Sequence, residues 1–343
     1  MDGLPAPDAL TPAPAAAPGA AEDVVAVAIG RNEGERLRAC LAALQGTVGG
    51  VVYVDSGSTD DSLDLARQAG AEVVRLDTRL PFTAARARNA GLAAARAARP
   101  HARYVQFIDG DCALRAGWIA TARAFLEATP RAAVACGRRR ERFPEASVYN
   151  RLCDREWDTP PGRARACGGD ALMRLEALAE VGGYRDALIA GEEPELCLRL
   201  RARGWEIWRL DAEMTWHDAA ITRFGQWWRR ARRGGFAFAA GAALHGAPPE
   251  RHWVAETRRA ILWGAVLPAV TLLGALVTPW ALGLLLVWPL QILRLARRGG
   301  LGRRAAWEQA VFTTLARLPE AQGALEFHLG RLLKRRATLI EYK

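Results

Sequence analysis

Two aspartates one residue apart, Asp109 and Asp111, follow directly after an apolar run at residues 104–108. A run of β-branched and aromatic residues that ends at a glycine, here Gly110, predicts a buried strand leading into a tight turn. Open α/β sheets bind ligands at the carboxyl ends of their strands, and paired carboxylates suit Mg²⁺ or Mn²⁺. The pair therefore predicts a divalent metal site, and turn or helix capping is the alternative.

Other polar residues also lie at the ends of apolar runs. They are Asn32 and Glu33 after residues 24–29, Asp55 and Ser56 after residues 51–54, and Gly169 and Asp170 before residues 171–173. Because the carboxyl ends of parallel strands lie at one edge of a sheet, Asp55 should lie at the same edge as Asp109 and Asp111. The structural alternative for Asp55 is a helix cap.

A further acidic group, Glu192, Glu193 and Glu195, opens a segment with helical spacing. Pro194 is tolerated in a first helical turn, and acids there complement the helix dipole. These carboxylates are therefore either site residues or the solvated start of a helix.

Strands and helices alternate four times within about 90 residues, which predicts an α/β fold with a mostly parallel sheet flanked by helices. The pairs Asn32 with Glu35 and Ser58 with Asp61 have the spacing of helix starts. Helices are predicted at 83–98, 118–128 and 175–181, and further strands at 72–76, 132–136 and 206–210. The arginine-rich segment 137–169 is not assigned.

Six motifs follow one another along this pattern. They are Asn32-Glu33, Val54-Asp55-Ser56-Gly57-Ser58-Thr59-Asp60, Ala87-Arg88-Asn89-Ala90-Gly91, Phe107-Ile108-Asp109-Gly110-Asp111, Val181-Gly182-Gly183-Tyr184 and Gly191-Glu192-Glu193-Pro194-Glu195. Their order and spacing resemble those of family 2 glycosyltransferases of the Rossmann-like GT-A fold. The resemblance covers roughly residues 23–235.

The resemblance implies a role for each matching residue. Asp55 would contact the nucleoside base of a sugar nucleotide, and Asp109 with Asp111 would bind the divalent metal and the diphosphate. The family's general base falls on Glu193, where the family has aspartate, so Glu192 remains an alternative. The other residues of the substrate site would be Asn32, Glu33, Ser56, Arg88, Asn89, Gly169 and Asp170.

Two further residues extend this implied site. His217 is either a third metal ligand or an ordinary residue packed beside Trp216. Arg229 lies in Gln226-Trp227-Trp228-Arg229, which resembles the Gln-x-x-Arg-Trp element of processive synthases. Arg230 stands where the tryptophan would be, and this mismatch argues against a processive polymer synthase.

The chemistry of sugar transfer explains why such residues would be needed. A nucleotide-diphosphate sugar reacts through an oxocarbenium-like state, as in glycoside hydrolysis. A metal held by Asp109 and Asp111 would stabilise the departing diphosphate as a Lewis acid. A single carboxylate can then deprotonate the acceptor hydroxyl, which predicts one displacement with inversion.

The charge of the chain permits three kinds of partner. The formal net charge is +10 and comes almost wholly from arginine, which suits nucleic acid, an anionic membrane surface or a phosphorylated substrate. The arginines are spread over helices, loops and flanks without a recognised nucleic-acid module, which disfavours nucleic acid. The six cysteines include no Cys-x-x-Cys pair, which favours free thiols in a reducing compartment.

Residues 260–293 carry no charged side chain and are flanked by arginines on both sides. One membrane span needs about 20 apolar residues, so this stretch predicts a short hairpin or a re-entrant insertion. Basic flanks place both ends in the cytoplasm. A pair of buried core helices is the soluble alternative. The Trp- and Arg-rich residues before the stretch suit the headgroup layer of an anionic membrane.

These features divide the chain into five parts: a disordered tail (1–22), a GT-A catalytic domain (23–220), an amphipathic interfacial segment (221–258), a membrane hairpin (259–294) and a basic helical tail (295–343). The predicted protein is an inverting glycosyltransferase at the inner (cytoplasmic) membrane, with the catalytic domain in the cytoplasm. Its donor would be a nucleotide-diphosphate sugar and its acceptor a lipid-linked or other glycan of the cell surface. The alternative is an inactive membrane scaffold, which the change at Glu193 motivates.

Overall fold

The computed structural model describes residues 21–334. Nine strands form one sheet. They are β1 (Ala21–Gly30), β2 (Val48–Asp55), β3 (Glu72–Arg75), β4 (Tyr104–Asp109), β5 (Cys112–Leu114), β6 (Ala132–Glu141), β7 (Gly162–Ala164), β8 (Ala171–Arg174) and β9 (Glu206–His217). Their order is β3-β2-β1-β4-β8-β6-β9-β5, and β7 pairs with β9.

The first four strands are parallel, as the alternating pattern predicts. Ile29 of β1 lies opposite Val54 of β2 and Asp109 of β4, so the carboxyl ends of these three strands are level. The rest of the sheet is mixed, because β8 runs antiparallel to β4 and β6. β6 and β9 pair in parallel. The fold is therefore the predicted α/β sheet flanked by helices, with parallel pairing confined to part of it.

Eight helices belong to the sheet domain and its continuation. They are α1 (Glu35–Leu44), α2 (Ser62–Gln68), α3 (Ala84–Ala98), α4 (Trp118–Ala128), α5 (Val148–Trp157), α6 (Leu175–Val181), α7 (Glu192–Ala202) and α8 (Phe224–His245). The predicted bounds of α4 and α6 are confirmed. The apolar spacing of α1 buries Leu37, Cys40, Leu41 and Leu44 in the main core.

The segment left unassigned, 137–169, extends the sheet. β6 continues through its arginines to Glu141, and β9 continues to His217, well beyond the predicted ends at 136 and 210. The two extensions pair, with Glu141 opposite His217. The strands therefore carry polar residues from the core to the site.

The predicted helix starts at Asn32 and Ser58 are wrong. α1 begins after Gly34, and α2 begins after Asp61. Asn32 instead adopts a positive φ of 55° and accepts a hydrogen bond from the Thr59 amide at 2.7 Å. Ser58 Oγ in turn accepts the Asn32 amide at 2.9 Å. These polar side chains join two loops of the sheet edge instead of capping helices.

Two helices after α8 are long and apolar enough to cross a membrane, Val254–Ala275 and Pro279–Gly299. Residues 276–278 connect them, and the two helices are called the apolar hairpin below. Many large apolar side chains of the hairpin are exposed, for example Leu276 between the helices at 83% and Trp280 at 91%. Such an exposed apolar surface is unusual for a soluble monomer.

The described part of the chain ends with two further helices, Arg304–Leu315 and Arg317–Leu332, called the C-terminal helix pair below. The pair packs against α8, where Trp227 is buried with its ring 5.1 Å from that of Phe312. Of the predicted tail 1–22, residues 1–20 lie outside the described residues and residues 21–22 belong to β1. Residues 335–343 of the predicted basic tail also lie outside them.

Candidate active site

A cavity of about 940 Å³ lies at the carboxyl ends of the parallel strands. Ten of the sequence-predicted residues line it: Asn32, Glu33, Ser56, Arg88, Asp109, Asp111, Gly169, Glu192, Glu193 and His217. The loops after β1, β2 and β4 supply five of them. The end of β9 supplies His217 beside Asp111, and the start of α7 supplies Glu192 and Glu193.

Asp109 is paired with two arginines. Arg88 Nη2 donates to Asp109 Oδ1 at 2.8 Å, and Arg139 Nη2 donates to Asp109 Oδ2 at 3.3 Å. Burial disfavours the charged form of Arg88, but the carboxylates of Asp109 and Glu192 raise the pKa of Arg88 above its usual range. Both guanidinium groups therefore stay charged beside a carboxylate at the cavity wall.

Asp170 is fully buried behind this pair. Its Oδ1 accepts the Asp109 amide at 3.0 Å, and its Oδ2 accepts Thr215 Oγ1 at 2.9 Å and Arg139 Nε at 3.1 Å. Asp170 thus fixes the backbone of Asp109 and the side chain of Arg139. The resemblance implies that Asp170 contacts a substrate. In this structure it would act on a substrate only through Asp109 and Arg139.

Gly169 lies where no side chain fits. A Cβ atom at this position would be 2.7 Å from Asp109 Oδ2 and 3.0 Å from Arg88 Nη2. Because these two groups hold each other, neither can move away without breaking the pair. A glycine at this position therefore lets Arg88 and Asp109 meet.

His217 faces Asp111 across a strand pair. β5 runs antiparallel to β9 with Cys112 opposite His217, and this register brings His217 Nε2 to 3.3 Å from Asp111 Oδ2. On the other side, His217 Nδ1 is 3.7 Å from Glu141 Oε2. Burial lowers the pKa of His217, and this effect outweighs the neighbouring carboxylates, which raise it. A neutral imidazole is the form that binds metals.

Asp111, Cys112 and His217 each present a ligand atom within 4.8 Å of the other two. Burial raises the pKa of the Cys112 thiol well above its usual value, so this thiol is a poor ligand. One carboxylate and one imidazole suit Mn²⁺ better than a soft metal. These residues fit a divalent cation, which Asp111 and His217 would hold with Asp109 beside them.

The two neighbouring glutamates of α7 have different partners. Arg88 Nη1 donates to Glu192 Oε1 at 2.7 Å, whereas Glu193 Oε1 accepts the Gly168 amide at 2.9 Å. Burial, followed by the charge of Glu192, raises the pKa of Glu193 to about 7. Glu195 is turned away and pairs with Arg199 and Arg185, which makes it structural.

Besides Asp170, three predicted site residues lie outside the cavity wall. Asp55 is buried and accepts the amides of Gly57 and Ser58, both at 3.0 Å, so its carboxylate shapes the loop after β2. Asn89 holds the Tyr184 backbone through its amide nitrogen at 2.8 Å. Arg229 is exposed on α8.

Sequence reasoning missed four residues of the cavity wall, Arg139, Trp157, Arg230 and Arg233. It also missed Glu141, which lies behind His217. Arg139 lies in the unassigned segment, and no spacing links it to Asp170. Arg230 was visible only as a mismatch to a motif. Arg230 lines the cavity and Arg229 does not, so the arginine of α8 at the site is the one that follows the predicted Arg229.

A mixed sheet with acids at its parallel strand ends defines a GT-A glycosyltransferase fold, and comparison with solved structures agrees. The chain is similar to the mannosyltransferase PcManGT from Pyrobaculum calidifontis, solved with GDP-Man and Mn²⁺, at 20% identity and a TM-score of 0.57, covering 88% of this chain and 87% of that one. It is also similar to the S. aureus protein TarS (1-349), at 14% identity and a TM-score of 0.50, covering 90% and 91%.

Residues 27–179 match the model of glycosyl transferase family 2. The first four of the six motifs, from Asn32 to Asp111, lie within the matched residues. No curated protein sequence matches the chain.

Proposed function

We propose that this protein is a membrane-attached inverting glycosyltransferase, which moves a sugar from a nucleotide-diphosphate donor to the hydroxyl of a lipid-linked acceptor. The observation that carries the proposal is one cavity that joins Asp109, Asp111 and His217 on one side to Glu193 on the other. The GDP-Man and Mn²⁺ of the similar mannosyltransferase support a donor and a cation of these classes.

Glu193 is the proposed general base. A carboxylate with a pKa of about 7 is half ionised near neutral pH and accepts a proton effectively there. It takes the proton of the acceptor hydroxyl while that oxygen bonds to the anomeric carbon. The bond from this carbon to the phosphate oxygen breaks, and the nucleotide diphosphate leaves. One displacement of this kind inverts the anomeric centre.

The remaining residues bind and orient the donor. Arg88 and Arg139 hold Asp109 in place, and their charges favour a diphosphate nearby. Asp111 and His217 would hold a Mg²⁺ or Mn²⁺ ion, which supplies Lewis-acid stabilisation of the leaving diphosphate when bound. Ser56, Asn32 and Glu33 complete the wall at the end where the nucleoside would lie.

The apolar hairpin supports attachment to a membrane. Its helices have the length and composition of spans, and their apolar faces are exposed. Arginines at 258–259 and 297–298 lie near its two ends, which favours the cytoplasmic side for both ends. We place the protein at the inner membrane, in the assembly of a cell-surface polysaccharide or glycolipid.

The proposal is tested with the purified full chain, Mn²⁺, membrane lipid extract and a panel of UDP- and GDP-sugars, by measuring release of the nucleotide diphosphate. Asp111→Asn and Glu193→Gln should each lower the rate about 10²-fold or more. Asp64→Asn and Glu176→Gln are the matched controls, because both acids are exposed and distant from the cavity. Full activity in both site variants would reject the assigned roles.

A further inference from the structure

The cavity continues beyond the strand edge to a second wall made by the helices that follow the sheet. This wall is lined by Trp227, Arg230, Arg233, Ala237 and Phe238 of α8, by Trp253, and by Phe312, Ala316, Arg317 and Glu320 of the C-terminal helix pair. It combines arginines with aromatic and small apolar side chains. An occupant with both a charged group and an apolar part would match it.

Arg230 and Arg233 lie three residues apart on α8 and hence on the same face of that helix. Both line the cavity. Glu156 of α5 already shows what Arg230 can bind, since its two carboxylate oxygens lie 2.8 and 3.1 Å from Nη1 and Nη2 of Arg230. A guanidinium that presents both nitrogens to a carboxylate has the geometry that also binds a phosphate.

The apolar hairpin begins at the same wall. Trp253 lines the cavity and directly precedes the first helix of the hairpin, which starts at Val254. Further along that helix, Gly264 packs against the backbone of Arg317, whose side chain lines the cavity. The arginine wall and the exposed apolar surface therefore share one body of packed helices.

We propose that Arg230 and Arg233 bind the phosphate or diphosphate group of an amphiphilic acceptor, whose apolar chain leaves the cavity beside the hairpin. The inference rests on the proposed function, because it names the acceptor class of the same cavity. The phosphate group anchors the acceptor by taking the place of Glu156 at Arg230. A hydroxyl elsewhere on the acceptor then faces Glu193. A lipid phosphate and a soluble phosphorylated molecule share this chemistry, and the apolar contacts favour the lipid.

The test measures binding of farnesyl diphosphate, farnesol and inorganic diphosphate to the full chain in detergent by calorimetry. EDTA is present so that no divalent cation recruits diphosphate to the donor side. Farnesyl diphosphate should bind more tightly than either of the other two. Arg230→Gln and Arg233→Gln should weaken it about tenfold to a hundredfold, the range for a hydrogen bond to a charged group. Glu156→Gln should tighten it, because the competing carboxylate is removed.

Arg67→Gln is the control, since it removes the same charge from an exposed position on α2. Unchanged binding in both arginine variants, or binding that depends on Asp111 instead, would overturn the inference. Inorganic diphosphate that binds as tightly as farnesyl diphosphate, and still through Arg230, would keep the phosphate site but reject the lipid chain.

The sugar-nucleotide assay separates this inference from the proposed function. Turnover by the wild-type protein together with unaltered farnesyl diphosphate binding in the variants would reject only the acceptor site. Binding that depends on Arg230 and Arg233 without turnover of any donor would reject only the enzyme.

Discussion

Arg88 Nη1 donates a hydrogen bond to Glu192 Oε1 at 2.7 Å, so the first of two neighbouring glutamates is engaged by a buried cation that also holds Asp109. Glu193 points to the Gly168 amide instead. The sequence alone leaves open whether Glu192 or Glu193 is the general base, and their different partners bear on that choice. It supports Glu192 as the residue that positions Arg88 and Glu193 as the base.

The rate should depend on the ionisation of Glu193. Because its pKa is raised to about 7, the base form is the minor one below that pH. We expect kcat/KM to rise about tenfold between pH 6 and pH 8 and then to level off. A pH profile of nucleotide diphosphate release measures this rise. Glu176→Gln should keep the same profile, and a rate that is flat from pH 6 to 8 would contradict the assignment.

Glu193 should also cost stability when it ionises. A carboxyl group whose pKa is higher in the folded than in the unfolded protein stabilises the fold while it is protonated, and this contribution is lost as the pH rises through about 7. Glu193→Gln mimics the protonated form and keeps an oxygen for the Gly168 amide. We expect the variant to be more stable than the wild type at pH 8 by about 1–3 kcal/mol.

Thermal unfolding at pH 8 and pH 4.5 tests this difference. The difference in stability between Glu193→Gln and the wild type should be smaller at pH 4.5, because residue 193 is then neutral in both folded proteins. A variant that is less stable at pH 8 would show that the carboxylate of Glu193 has a stabilising partner.

Glu141 should tune metal binding through His217. Its Oε2 lies 3.7 Å from His217 Nδ1, and it also accepts the amides of Ala219 and Phe143, which fix its position. A carboxylate behind a ligating imidazole orients the ring and increases its basicity. Glu141→Gln should therefore weaken Mn²⁺ binding about 10- to 100-fold.

Electron paramagnetic resonance of free Mn²⁺ measures this affinity without an activity assay. The exposed Glu145→Gln is the control on the same stretch of chain, and thermal unfolding checks that the variant is folded. Equal Mn²⁺ affinity in Glu141→Gln and the wild type would remove Glu141 from the site.

The sequence correctly predicts those parts of the site that depend only on an apolar run and the polar residues that follow or precede it. The aspartates after β4 and the glutamates at the start of α7 lie on one cavity because strand ends and helix starts are local features. α4 and α6 have their predicted bounds for the same reason, since apolar spacing and a following turn define them.

The remaining part of the site depends on contacts distant in sequence. Arg139 pairs with Asp170 across 31 residues, and the pairing of β6 with β9 continues beyond the apolar core until Glu141 lies opposite His217. Neither pairing leaves a periodic pattern in the sequence. The arginine-rich segment 137–169 therefore shows no sign of a strand. Asn32 matched a helix start because its side chain accepts backbone amides, yet the amide it accepts belongs to Thr59 of another loop.

Gly169→Ala should lower the activity strongly while the fold persists. The added methyl group would meet Asp109 Oδ2 and Arg88 Nη2, and these charged groups hold each other in place. We expect a loss of turnover of about 10²-fold, the scale for a misplacement of about 1 Å. Gly330→Ala is the control, because nothing lies within 4 Å of a Cβ atom there. Normal turnover in Gly169→Ala would show that this pair tolerates displacement.

The apolar hairpin should decide where the protein resides. Leu276 and Val277, near its turn, are 83% and 88% exposed, and a charge there would have to enter the bilayer. Each such charge costs about 2.5–3.5 kcal/mol by insertion scales. We therefore expect the wild type to stay with membranes in an alkaline carbonate wash, whereas Leu276→Glu with Val277→Glu is released. Leu80→Glu changes an exposed leucine of the sheet domain and should stay bound. A wild-type protein found in the soluble fraction would reject the membrane attachment and leave the exposed helices to another partner.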